Sequence, residues 1–401
     1  MQRSELARQG IGFTFCPHVV LWRKEKARNM KIGRNELCHC GSGLKYKKCH
    51  LNREQQPRLT EGEVKGMFSR NSIPKKCFHA SVDKASCHGK IIESHTVSKS
   101  GSLKRIAPDS FVFHFKPDIN ALFKNNVKLV LQTTGIGQAS TFPGFCGHHD
   151  KELFSPIEDR QFETNHYNCM LLGYRALTKE IYAKEMSKSL NSKQRVMDRG
   201  ADAITQVAIQ QFLSHMLEQT DLALRDLQSI KGNYDQAFVS GDYSSVHYLV
   251  VSFEEDPSIL FSGSFFPEFD FSGERLQTFE TEDELDSISV NAISLPKGGA
   301  VVFQWMGESD VNTRFICSLL RLESHLWGTM LVQFAFESFE NLFISKRWWS
   351  SLSDSQKEKL NRKVQCKFHS GRCFQPDGEV YCEWQKPTIE TTVSQINGHV
   401  A

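Results

Sequence analysis

The placement of its cysteines constrains this chain more than any other feature. Cys38, Cys40 and Cys49 crowd into one short stretch with His50. Cys77, Cys87 and Cys146 follow, with His148 and His149 just after the last of them. Cys366, Cys373 and Cys382 lie near the end with His369, whereas Cys169 and Cys317 sit alone in apolar stretches and read as core thiols. Clustered Cys beside His in a reducing compartment usually means metal rather than disulfide. Mixed thiolate and imidazole ligands at short spacing favour zinc. A chain of this kind is expected to contain small units closed by metal as well as units closed by an apolar core.

The first set lies in GRNELCHCGSGLKYKKCH, residues 33–50. Cys38 and Cys40 form a C-x-C knuckle, and Gly41-Ser42-Gly43 supplies a tight turn in which glycine tolerates positive φ. Cys49 and His50 complete four ligands for one tetrahedral site. So short a segment cannot bury a core, and its folding energy must come from the metal. His39, between two ligands, reads as pointing outward. The segment closely resembles the SEC-C motif, the zinc module at the C-terminus of the SecA translocase ATPase, with His39 where that motif usually has proline. The resemblance covers under twenty residues and implies a portable docking element for proteins or ribosomes.

The second set is spread over residues 77–150. Cys77 and Cys87 flank a loop, and alternation in Gly89–Val97 suits a strand with Ile91 and Ile92 inside. TFPGFCGHHDKELFSPIE then reads as a strand or turn entering a helix, with Cys146 and His149 as a C-x2-H knuckle. Cys77, Cys87, Cys146 and His149 can hold one tetrahedral zinc. Two other ligand sets are open: His95 in place of Cys77 or Cys87, and His148 in place of His149.

This arrangement resembles the HNH/endonuclease VII, or ββα-metal, nucleases, in which zinc staples a β-hairpin to a helix. The segment around Cys146 also looks like one in a group of bacterial proteins, some of which carry SEC-C modules, and that likeness implies no particular activity. The nuclease resemblance implies His95 as general base on water, and Asp150 as ligand of a Mg2+ or Mn2+ that steadies the leaving oxygen. It also places Lys99 and Lys104 against phosphates. The pattern departs from the family at Ser94, where a second polar ligand is usual. No clear counterpart exists for the Asn that orients the base; Asn125, Ser140 and Thr141 are the candidates.

Charge supports the nucleic-acid reading. Residues 1–110 hold 22 Lys+Arg against 9 Asp+Glu, whereas the remainder holds 27 against 37. A basic front half suits nucleic acid or an acidic partner. No apolar run approaches the ~20 residues of a membrane span and no secretory signal is visible, so a cytoplasmic protein without membrane contact is expected.

The rest of the chain completes an α+β expectation. An N-terminal extension (1–31) precedes the SEC-C zinc module (32–54) and the HNH-like, ββα-metal-like zinc domain (75–159). A helical hairpin (160–231) follows, its helices read over 161–190 and 202–230. An α+β domain with a mainly antiparallel sheet spans 232–350. Its strands are expected over 247–253, 259–265, 276–279, 287–294 and 299–306, and its helices over 314–321 and 326–348. Phe111, Phe113 and Phe115 read as one face of a further strand. In the tail (351–401), Cys366, His369, Cys373 and Cys382 are a candidate third zinc site, and 385–401 is polar and reads as disordered.

Two functions follow from this reading: an HNH-like metal-dependent nuclease of defence or toxin type, and a non-enzymatic zinc adaptor that docks proteins or nucleic acid. The substrate, the oligomeric state, the biological trigger and the role of 232–350 have no sequence signal.

Overall fold

A computed structural model describes residues 33–67, 75–80, 87–118, 128–366, 375–384 and 386–394. The extension at 1–31, Asn125, His369 and Cys373 lie outside the described residues. The fold is α+β. Its centre is an eight-stranded sheet of order β10-β5-β8-β7-β6-β9-β2-β3, antiparallel throughout. These strands are β2 (Phe111–Pro117), β3 (Leu129–Gly135), β5 (Val246–Phe253), β6 (Ile259–Phe265), β7 (Ile288–Ser294), β8 (Gly299–Met306), β9 (Leu342–Ile344) and β10 (Thr388–Thr391). A separate two-stranded ladder pairs β1 (Ile91–His95) with β4 (Thr141–Cys146).

Helices cover both faces of the large sheet, which explains why β8 is buried at seven consecutive positions. A strand sandwiched on two sides reads as an apolar run rather than an alternation. After the short α1 (Glu61–Met67) come α2 (Gly147–Glu158), α3 (His166–Gln194) and α4 (Ala203–Ser240). α3 lies against β5, β6, β7 and β8 on one face and pairs with α4 as a hairpin. On the other face α5 (Asp310–Leu320), α6 (Ser324–Ser338), α7 (Lys346–Ser351) and α8 (Asp354–Cys366) build the main core with Leu249, Val251, Phe303 and Trp305.

Local chemistry sets the hairpin's ends. Asn165 caps α3 by accepting from Asn168 N (2.8 Å), and Asp202 caps α4 by accepting from Thr205 N (3.0 Å). Gly241 ends α4 at φ +70°, the left-handed stop that glycine adopts without strain. α3 runs so close to the sheet that a Cβ on Gly173 would lie 1.5 Å from Gln304 Oε1, the acceptor of the buried Tyr234 hydroxyl.

Several sequence expectations are corrected. Leu276–Phe279 forms no strand; that region has only an isolated bridge between Phe269 and Arg275. Leu326–Trp348 is not one helix, because β9 interrupts it and pairs with both β6 and β2. Ile92 is exposed, since β1 has only one partner strand and slips register between Ile92 and Ser94. In β2 it is Val112 that is fully buried, while Phe111 is exposed. The polar tail carries β10, whose backbone completes the β5 edge although its side chains carry no apolar pattern.

Candidate metal centres

The first cluster is assembled from local backbone. Cys38 N donates to Leu44 O (2.8 Å), closing the glycine turn, and Cys49 follows a short 3-10 turn over Tyr46–Lys48. Gly41 and Gly43 take φ of +74° and +71°. The ligand atoms of Cys38, Cys40, Cys49 and His50 all lie within 4.8 Å of one another. His50 presents Nδ1 to Cys38 Sγ (3.1 Å) and Cys49 Sγ (3.2 Å). Its Nε2 donates to Asp198 Oδ2 at 2.7 Å. Asp198 is fully buried and also accepts from Arg53 Nε (2.5 Å) and Gln210 Nε2 (2.7 Å). Burial opposes its charge, yet the bonds from His50, Gln210 and Arg53 hold its carboxyl below the usual range.

Sequence reasoning did not single out Asp198. It lies 148 residues from His50, in the 3-10 turn Arg195–Asp198 that joins the two hairpin helices, and no local pattern marks it. His39 is a correction: its ring packs 4.7 Å from that of His50 instead of pointing outward.

The second cluster is assembled from three separated segments. Cys77 sits beside β4, where its Sγ accepts from Cys146 N (3.4 Å) and Phe78 N donates to Gly144 O (2.9 Å). Cys87 lies just before β1. Cys146 ends β4 and caps α2, its sulfur accepting from His149 N (3.5 Å). The ligand atoms of Cys77, Cys87, Cys146 and His149 again lie within 4.8 Å of one another. His149 Nδ1 is 3.4 Å from Cys77 and Cys146 and 3.7 Å from Cys87. The ring of His79 stacks on His149, centroids 3.9 Å apart. His148 turns away to an ion pair with Glu152 (3.3 Å), and His95 is not among the four.

Three sulfurs and one imidazole nitrogen are the donor set of a structural zinc site. Burial pushes the Cys38 thiol up to about 12 and the Cys77 thiol up to about 11. Against burial, bonds from Ser42 draw Cys40 down to about 7. A divalent cation supplies the charge that buried thiolates need, so both residue sets fit zinc.

His95 ends β1, and its Nε2 donates to Ile136 O (3.2 Å), which puts the imidazole lone pair on Nδ1. Burial lowers its pKa, the carbonyl bond opposes that shift, and Glu158, Arg175 and Lys99 are the nearby charges. Asp150, in the first turn of α2, accepts a hydrogen bond from the buried hydroxyl of Ser94. Arg175 on α3 is 1 % exposed; Nη1 donates to Glu158 Oε1 (2.7 Å), and Nη2 stands 3.9 Å from Asp150 Oδ1. Lys99 and Lys104 are both exposed. Of the candidates for orienting His95, Ser140 instead pins the strand end, its hydroxyl accepting from Val97 N (2.9 Å), and Thr141 pairs with His95 in the ladder. In the third set, Cys382 is described; it packs against Gly328 on α6, and burial pushes its thiol up to about 12.

Comparison with known proteins identifies one stretch. The SEC-C motif matches residues 34–52. The protein translocase subunit SecA from two strains of Chloroflexus aurantiacus is 51 % identical over 37 residues, covering 9 % of this chain and 4 % of SecA. No solved structure matches the chain. Among the described residues, no helix is long and apolar enough to cross a membrane. The chain thus carries a SEC-C motif, and its Cys/His clusters point to zinc.

Proposed function

We propose that the chain is a cytoplasmic, zinc-stapled nuclease of ββα-metal type. One observation carries this reading: β1, β4 and α2 meet over the second Cys/His cluster so that Ser94 touches Asp150, while His95 is the next residue on the strand. The two zinc sets are scaffold. Asp150 would hold a Mg2+ or Mn2+, whose charge favours departure of the leaving oxygen. His95 Nδ1 takes the proton from the attacking water, with its ring fixed through Nε2 by Ile136 O. Burial of the ring lowers its pKa, which favours the unprotonated form that a base requires. Lys99 and Lys104 supply positive charge for a nucleic-acid backbone.

A second reading, a zinc adaptor that docks a protein through its SEC-C motif, is favoured by one feature. Asp150 already accepts from Ser94 and has the Arg175 guanidinium close by, a partner that competes with a cation. The test is Mg2+- or Mn2+-dependent cleavage of plasmid DNA and of total RNA by the full chain and by His95→Ala. Cleavage that falls at least ~100-fold in the variant, with zinc content intact, supports the nuclease. Equal cleavage by both proteins removes His95 as base, and no cleavage by either supports the adaptor.

A further inference from the structure

The SEC-C motif ends at residue 52, but the contacts around its cluster do not. Arg53 bridges to Asp198, and Arg195 Nη1 donates to the carbonyl of the ligand Cys40 (2.7 Å). Arg195 is itself held by Gln210 Oε1 (3.0 Å) and Ser214 Oγ (3.1 Å) on α4. Gly200 N donates to Arg53 O (3.1 Å). A Cβ on Gly200 would lie 2.8 Å from Gln56 O, so the chain leaving the motif also runs against the hairpin turn. Every one of these partners belongs to the turn or to the start of α4.

We propose that Asp198 is the outer carboxylate of the first metal centre, so that metal loading and docking of the SEC-C module onto the hairpin are one coupled event. A ligating imidazole that donates its other N–H to a carboxylate is fixed in tautomer and orientation and becomes a better donor. His50 has that geometry, with Nδ1 on the cysteines and Nε2 on Asp198. Asp198 has no solvent to fall back on, and Arg53 and Gln210 occupy the rest of its carboxylate. Without the metal, His50 loses the partner that directs Nδ1 inward, and the module loses the bond that ties it to the turn. Asp198 is therefore a positioning residue, one that acts on the metal through His50.

The test is zinc competition on the full chain against a colorimetric chelator, which separates two zinc populations. Asp198→Asn should weaken the first centre 10- to 100-fold and leave the second unchanged. Unchanged affinity at the first centre overturns the proposal. A cycle with His50→Cys separates positioning from mere packing: once the imidazole is gone, Asp198→Asn should cost no further affinity. An equal loss in both backgrounds shows that Asp198 acts through the fold and overturns the proposal. A readout that does not alter Asp198 uses Cys49→Ser, which removes the first metal. Amide exchange over 195–202 should then rise together with that over 38–50, and protection that stays unchanged at the turn overturns the coupling.

Discussion

The two metal centres have the same donors and opposite construction. The first draws its four ligands from 13 consecutive residues and takes its outer carboxylate from 148 residues along the chain. The second draws its ligands from segments 72 residues apart and backs His149 with a stacked imidazole, His79. A local motif makes a cluster that can be moved between proteins, and its tertiary neighbours decide how firmly the metal is held. A non-local cluster is itself tertiary structure, and its metal holds strands and helix together. The first centre should thus be removable with little damage, and the second should not.

The largest effect that could break this contrast is loss of a ligand. Cys146→Ser should cost one zinc and also the joint between β4 and α2, dissolving the order of the β1–β4 ladder. Cys49→Ser should cost the other zinc while the thermal transition of the main sheet stays within a few degrees. Zinc stoichiometry read alongside thermal unfolding decides this, and equal destabilisation by the two variants would break the contrast.

A smaller effect probes what the centres share. α3 passes the second centre at Tyr174 and Arg175 and ends at the turn that holds the first. Gly173→Ala drives a methyl into Gln304 and should destabilise the fold by ~1–3 kcal/mol, read as a shifted denaturation midpoint. Both zinc affinities should fall together in that variant. A fall at one centre alone would show that α3 does not link them.

The smallest effect compares the two outer partners. His79→Ala removes a stacked ring worth about 0.5–1.5 kcal/mol, and zinc competition should register a smaller loss than that of Asp198→Asn at the first centre. A larger loss for His79→Ala would reverse the ranking of carboxylate over ring.

The same contrast governs what could be read from the residues alone. Cys38, Cys40, Cys49 and His50 were legible because turn and ligands share one stretch of chain. The hairpin was legible because apolar residues recur near helical spacing over long stretches of chain, although α3 is buried on every side from Asn168 to Thr178 and presents no single apolar face there. Asp198 was not, because a buried carboxylate in a polar turn looks like any solvated one until its partner arrives from 148 residues away. β9 was hidden for a related reason. Leu342, Phe343 and Ile344 are all buried, and three buried residues in a row fit a helix as well as a strand. β10 left little trace, since it sends only Ile389 onto the core and is otherwise a polar edge strand paired through its backbone.

The path between β1 and β4 carries a consequence for how the chain folds. After leaving β1 it supplies β2 and β3 to the far edge of the large sheet, and only then returns through β4 to bring Cys146 and His149 to Cys77 and Cys87. Closure of the second cluster therefore joins residues up to 72 positions apart and carries a high contact order, whereas the first cluster gathers its ligands from one short stretch and gains its outer carboxylate when the hairpin turn is in place. Metal capture would proceed in two stages, the first cluster gathering its ligands early and tightening on its zinc as the hairpin docks, the second closing once β4 has returned to β1.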